Sequence, residues 1–232
     1  MTLFDNAKTV IINNKEVQSI TTTNGGILYK KSLPDGTFTD LKALIDNATA
    51  GDTITLDRNY VHNSSTDSSI TSIAVGKAIT IDGNGHIIDG NNTSKAFVNT
   101  SNVSYNSITF QNCTGARGGA LQIAGSVNIS NCVFKNNSAG SYGGGALYAQ
   151  SSFTTQNITI TGSTFINNTS TSKGGAMYIE GSKNILNMSN STVHSNTASN
   201  YANIYIGQAT TVYNCNLPDD PSTYYNITNV IN

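Results

Sequence analysis

The residues of this chain that could do acid–base chemistry are few, and they cluster once. The stretch Ile81–Gly90, IDGNGHIIDG, sets Asp82 and Asp89 on either side of His86. Two carboxylates held roughly 5–10 Å apart are what hydrolysis of a glycosidic bond requires, and a histidine nearby could carry a proton. Asp-Gly and Asn-Gly are also strong turn formers, which is the plainer reading of the same residues. Beyond them, from Gly90 to Ile179, the chain contains no Asp or Glu. β-Elimination on an acidic sugar commonly draws on a Ca²⁺ site rich in carboxylate oxygens, and that long stretch offers none. His62 and His194 stand alone and are expected to face solvent. Arg117 reads as a solvated turn residue that could meet an acidic ligand. No His, Cys or Asp spacing matches a metal site, so no metal and no cofactor are expected. Cys113, Cys132 and Cys215 are too few and too odd for a disulfide framework and read as buried thiols.

Recognition needs no carboxylate pair, and here the sequence is more generous. Leu121/Ile123, Leu147/Ala149, Met177/Ile179 and Ile204/Ile206 are apolar residues spaced by two. If each pair points into a core, the residue between points out. Those residues are Gln122, Tyr148, Tyr178 and Tyr205. On neighbouring strands they would make a flat, partly apolar strip edged with hydroxyls, suited to a glycan or a protein surface. The competing reading is an aromatic ladder that only stabilises its sheet.

What would position such a strip is a repeat. Ser107–Gly125, Asn131–Gln150, Gly162–Glu180 and Asn190–Gly207 align with one another, each with a Gly or Ala stretch before its apolar alternation. An apolar pair precedes each segment. Counted from Ile54, Ile79, Val103, Val127, Ile158, Leu186 and Thr210, the steps are 25, 24, 24, 31, 28 and 24 residues. Short alternating strands at such a period mark a β-solenoid, because one turn cannot bury its apolar face but stacked turns can. The fold expected is all-β: a right-handed parallel β-helix of about seven turns, roughly 30–35 Å long at the strand spacing, with one N-terminal capping helix. Two interior ladders follow. One is Leu56, Ile81, Tyr105, Ile129, Ile160, Met188, Val212; the other is Phe110, Phe134, Phe165, Val193, Leu217. Three residues before the second stand Ser107, Asn131, Gly162, Asn190 and Asn214, types that tolerate left-handed backbone, so this column is the expected corner. Stacked Asn side chains there could hydrogen-bond along the axis. The two long steps place insertions near Ser151–Gln156 and Ser170–Lys173.

The domain organisation expected has four parts. Residues 1–31 form a β-hairpin attachment module, with Val10–Ile12 and Val17–Ile20 as strands and Ile27–Tyr29 as a further one. Residues 32–50 are linker and capping helix, with Leu41, Leu44, Ile45 and Ala48 on its buried face and Thr37 or Thr39 as cap. Residues 51–217 are the β-helix, and 218–232 a C-terminal cap or tail. Only 11% of the residues are charged and the net charge is −1. That leaves no basic patch for nucleic acid or an anionic membrane, and no apolar run is long enough for a transmembrane helix. The start of the chain has no basic region followed by an apolar run, so no signal peptide is visible.

The GGA(L/M) runs at Gly118–Leu121, Gly144–Leu147 and Gly174–Met177, with FxxN at Phe134–Asn137 and Phe165–Asn168, resemble the GGA and FxxN repeats of chlamydial polymorphic outer membrane proteins. FxxN departs at Phe110–Cys113, and Val replaces Phe at Val193–Asn196. The stretch Phe38–Asn92 is similar to adhesin-like proteins of methanogenic archaea. The resemblance covers about residues 37–217. It implies a pectin-lyase-like β-helix used in adhesion, extracellular, on a cell surface or borne on a virion as a tail or fibre protein. The function expected is a non-enzymatic adhesin binding a surface glycan or a cell-envelope protein, as a homotrimer or docked through residues 1–31. The alternative is a polysaccharide-active lyase or hydrolase on the same fold, with Asp82 and Asp89 as its acids.

Overall fold

The structure is a computed structural model; it describes residues 10–12, 15–17, 19–21, 27–30, 33–150 and 154–230. The chain forms two compact units, Met1–Pro34 and Asp35–Asn232. The first holds two antiparallel pairs, Val10–Ile12 with Lys15–Val17 and Ser19–Thr21 with Ile27–Lys30. Val17 and Ile20, expected in one strand, lie in different pairs.

The second unit is a parallel β-solenoid. Its strands stack in three main ladders, with apolar residues inward and polar ones outward along each. The first ladder runs from Thr53–Thr55 through Thr80–Asp82, Val103–Asn106, Val127–Ser130, Gln156–Thr161 and Asn184–Ser189 to the end of Ile204–Tyr213. The second runs from Tyr60–Val61 through Ile87–Asp89, Thr109–Gln111, Val133–Lys135 and Thr164–Ile166 to Thr192–His194. The third runs from Ile73–Val75 through Phe97–Asn99, Leu121–Ile123, Leu147–Ala149 and Met177–Ile179 to Ile204. A fourth, shorter ladder lies between the second and third: Thr114–Arg117, Ser138–Gly143, Thr169–Lys173 and Thr197–Asn200. Six turns carry a full set. The seventh turn, expected from Thr210 and Val212, is abbreviated: on the second ladder it makes only a bridge, Thr192 to Asn216. Parallel crossovers within a sheet are right-handed in nearly all folds, the hand expected for this one.

The interior ladders hold with one slip. Ile54, not Leu56, is level with Ile81. Leu56 is still fully buried, because a shift of two residues keeps a side chain on the same face. Phe110 stacks on Phe134 at 4.9 Å and Phe134 on Phe165 at 4.6 Å, with near-parallel rings. Ile88 and Tyr60 extend that ladder toward the first turn.

The corners explain the repeat motifs. Ser107, Asn131, Gly162, Asn190 and Asn214 all have φ between 49° and 58°, the left-handed conformation expected of them. Among the described residues, the hydrogen-bonded Asn ladder stands in another column. It is the buried Asn of FxxN. Asn137 Nδ2 donates to Asn168 Oδ1 and Asn168 Nδ2 to Asn196 Oδ1, both at 2.9 Å. The three also donate to the carbonyls of Phe110, Phe134 and Phe165. A corner Asn in solvent loses little by bonding water, whereas a buried Asn must find partners within the protein. The GGA motif has a steric origin. Gly144 has φ +69°, and a Cβ on Gly145 would meet the Gly175 carbonyl oxygen at 1.9 Å. The following Ala146 is fully buried where only a small side chain fits.

The three thiols are free and buried, and they stand in polar columns. The Cys132 amide donates to Ser163 Oγ and the Ser163 amide to Ser191 Oγ, both at 3.1 Å. The Cys113 amide donates to Asn137 Oδ1 at 3.0 Å. Cysteine and serine thus share one structural position at Cys132, Ser163 and Ser191, while Cys113 takes that of the FxxN asparagines.

The front of the solenoid is covered by α1, Phe38–Asn47. Thr37 caps it, with Asp40 returning the bond. Its buried face is Phe38, Leu41, Ile45 and Ala48, while Leu44 is 38% exposed. The expected face was rotated by part of a turn, because Phe38 takes the core position at the helix start. Asp67 is fully buried and accepts from the amides of Phe38, Thr39 and Asn63 and from the Thr39 hydroxyl, at 2.7–3.0 Å. Burial alone would raise its pKa, but these bonds outweigh it and hold the carboxyl below its ordinary value. At the other end, Lys77 donates to the carbonyls of Asp46 and Ala48 at 2.7 and 2.6 Å. His62 is not solvent-facing. It is buried, edge-on to Phe38, with Nε2 on the carbonyls of Asp67 and Ile70 and Nδ1 2.7 Å from Thr93 Oγ1.

The C-terminal segment carries a strand, Tyr224–Val230. After a 3-10 turn at Pro221–Thr223, Tyr224–Val230 pairs in parallel with Ile204–Tyr213.

Candidate functional site

Asp82 and Asp89 end strands on two different ladders, the first and the second. Each carboxylate is engaged locally. Asp82 accepts from the Asn84 amide at 3.0 Å and from Asn106 Nδ2 at 3.3 Å. Asp89 accepts from the Asn91 amide at 2.8 Å and from the side chains of Gln111 and Asn112. These are turn and inter-turn bonds, the plainer reading of the motif. His194 is half-buried and bonds Ser195. Among the described residues, no group of three His, Cys, Asp or Glu side chains could hold a metal ion.

The residues Gln122, Tyr148, Tyr178 and Tyr205 come together. They are paired rung by rung on the third ladder, and the pairing continues to Tyr225. The strip is neither flat nor evenly open. Tyr148 and Tyr178 meet edge-to-face at 5.4 Å, and Tyr178 and Tyr205 likewise at 5.0 Å. Rings one strand spacing apart gain more from this geometry than from face-to-face contact. Tyr148 is only 2% exposed. Its hydroxyl donates to the Glu180 carboxylate, and burial, then that carboxylate, push its pKa well up. Tyr178 and Tyr205 are half-buried, and Tyr225 is exposed. Tyr205 and Tyr225 stack at 5.0 Å with Tyr201 packed against both.

Cations line this aromatic face. The Arg117 guanidinium sits 3.8 Å above the Tyr142 ring and 5.8 Å from that of Tyr148, so it is a packed cation–π donor rather than a free turn residue. Lys173 Nζ lies 4.4 Å from the Tyr205 ring. Lys95, 7% exposed, donates to Gln122 Oε1 at 2.7 Å. Burial, then the nearby Arg117 charge, lower its pKa to about 8.

Local sequence explains these placements. Lys95 holds the position that Gly119, Gly145 and Gly175 hold in later turns, and its side chain runs over Gly115, whose missing Cβ leaves the room. Tyr142 reaches Arg117 because the stretch from Phe134 to Leu147 is two residues longer than its counterpart from Phe110 to Leu121. That insertion was not expected. The expected one at Ser170–Lys173 is present as a register shift, and the other falls partly on residues 151–153, outside the described residues. Tyr225 and Tyr201 were missed because their step along the chain breaks the repeat. Among the described residues, open recesses lie off this ladder, one beside the start of α1 and another along the first ladder. Among the described residues, no helix is long and apolar enough to cross a membrane.

Compared with models of protein families, with curated proteins and with solved structures, the chain matches none.

Proposed function

We propose that this chain is a non-enzymatic adhesin, extracellular and carried on a cell surface or a virion, whose solenoid binds a surface glycan or a cell-envelope protein. The observation that carries the reading is the rung-by-rung column Gln122, Tyr148, Tyr178, Tyr205 on one ladder. A parallel solenoid repeats one outward position at each strand spacing, about 4.8 Å, so it can present similar contacts along an extended ligand. Tyrosine combines apolar area, a hydroxyl and few rotatable bonds, a good basis for contact at low entropic cost. The same solenoid carries the features on which the resemblance to adhesin-like repeat proteins rests.

The test is binding of the labelled full chain to arrayed surface glycans and to intact microbial cells, beside the double variant Tyr178→Ala/Tyr205→Ala. These two tyrosines are the right choice because both are half-buried, whereas removing the buried Tyr148 would disturb the fold. Loss of binding is expected with the circular dichroism of the fold retained and a melting temperature lowered by only a few degrees, the rings' contacts with Tyr148, Tyr201 and Tyr225 being lost too. Undiminished binding by the variant removes the tyrosine face from the reading. Shortened sugar products on incubation with polysaccharides overturn its non-enzymatic character.

A further inference from the structure

The tyrosine face carries an electrostatic feature that a neutral ligand does not explain. Between Gly90 and Ile179 the chain has Lys95, Arg117, Lys135 and Lys173 and no acidic residue. Three of these four cations border the tyrosine column, and Lys135 lies on the second ladder. The molecule as a whole is close to neutral, with a net charge of −1, so the imbalance is local to this part of the solenoid.

Lys95 and Arg117 sharpen the point. Lys95 is more than nine-tenths buried and its ammonium has a neutral acceptor, the Gln122 amide oxygen. Arg117 is close enough to oppose the Lys95 charge, and its Nε is buried with no hydrogen-bond partner. Neither has a carboxylate partner among the described residues. Burying two like charges side by side costs free energy unless an anion completes the set. An ammonium on Gln122 and a guanidinium beside Tyr148, the neighbouring rung, with tyrosine rings along the strip, suit a carboxylate or sulfate on a chain of sugars. Glu180 accepts from the hydroxyl of Tyr148, one rung beyond Gln122.

We infer that the ligand of this face is an acidic polysaccharide, and that Lys95 and Arg117 form the site for one of its carboxylate or sulfate groups. The inference rests on the adhesin reading above. A glycan is favoured over an acidic protein because the face is a repeated strip, with one type of ring recurring on successive turns.

The experiment measures binding of the full chain to hyaluronan, dextran sulfate and uncharged dextran by calorimetry, with poly-glutamate as a protein-like polyanion. The variants are Lys95→Met, Arg117→Gln and, as a control on the second ladder, Lys135→Gln. Hyaluronan or dextran sulfate is expected to bind, dextran not, and each of the first two substitutions is expected to weaken binding about tenfold, the worth of one charge-assisted bond. Lys135→Gln is expected to have no effect. Since Lys95→Met relieves a buried charge, its melting temperature should not fall, which keeps loss of binding distinct from misfolding. Tyrosine-dependent binding to dextran or to cells, unaffected by Lys95→Met and Arg117→Gln, overturns the anion site and leaves the adhesin reading standing. Equal Lys95-dependent binding of poly-glutamate overturns the glycan class. No binding to any glycan or cell overturns both.

Discussion

Replacing Asn168 by alanine probes what holds the turns together. Its side chain accepts from the Asn137 amide and Asn137 Nδ2, and donates to the Phe134 carbonyl and Asn196 Oδ1, at 2.9–3.0 Å. The residue is fully buried. Asn168→Ala strands the Asn137 amide, halves the partners of Asn137 Nδ2 and removes one of the donors to the Phe134 carbonyl, which keeps its place in the strand ladder. An orphaned buried polar group costs about 1–3 kcal/mol. One orphan and two weakened groups sum to about 2–4 kcal/mol, a large share of the roughly 5–15 kcal/mol of a whole domain. At about 2–4 °C per kcal/mol for a unit of this size, the melting temperature should fall by roughly 5–15 °C. The assay is calorimetric melting beside Asn187→Ala, an exposed Asn on the first ladder, expected to stay within about 0.5 kcal/mol. A fall for Asn168→Ala no larger than that of the control refutes the ladder as a major source of stability.

Asp67→Asn turns an amide group toward donors that now meet a carboxylate and should cost about 2–4 kcal/mol at pH 7 in urea unfolding. Because the folded pKa of Asp67 is depressed, its contribution is present above the unfolded value of about 3.9 and is lost as pH falls through the folded one. The gap between the two proteins should therefore close below about pH 4; a constant gap contradicts the assignment. Gly145→Ala drives a Cβ into the Gly175 and Thr169 backbone and should prevent soluble folding or lower the melting temperature by roughly 10 °C or more. Near-normal melting there removes the steric account of GGA. Burial pushes the Cys113 thiol up to about 12 and that of Cys132 to about 11, so both should resist a thiol reagent at pH 8 until the chain unfolds. Rapid labelling of the native protein would refute their burial.

The architecture was legible because period-two alternation and a period near 24 residues are direct images of strands and turns. The corner at Ser107, Asn131, Gly162, Asn190 and Asn214 was legible for a related reason: few residue types tolerate φ near 50°. The column Gln122, Tyr148, Tyr178, Tyr205 followed from alternation alone. What stayed hidden depends on contacts between turns. The Asn ladder lies at FxxN because burial, not corner geometry, forces those amides to pair. His62 and Asp67 are buried by α1, which covers the first turn and which no repeat announces. Tyr148 is buried by neighbours, and alternation gives only a direction. The tyrosine–cation pairing depends on a two-residue insertion before Leu147 and on Lys95 standing where later turns have glycine. Neither is visible before the strands are in register.

The central claim is that the third ladder is the binding face. Hydrogen–deuterium exchange of the full chain, free and with saturating hyaluronan or a glycan captured on the array, tests it most directly. The account predicts new protection in Thr114–Arg117, Leu121–Ile123, Leu147–Ala149 and Met177–Ile179 and none on the outer strands of the first ladder. Protection confined to Val103–Asn106, Val127–Ser130 and Asn184–Ser189 would contradict it.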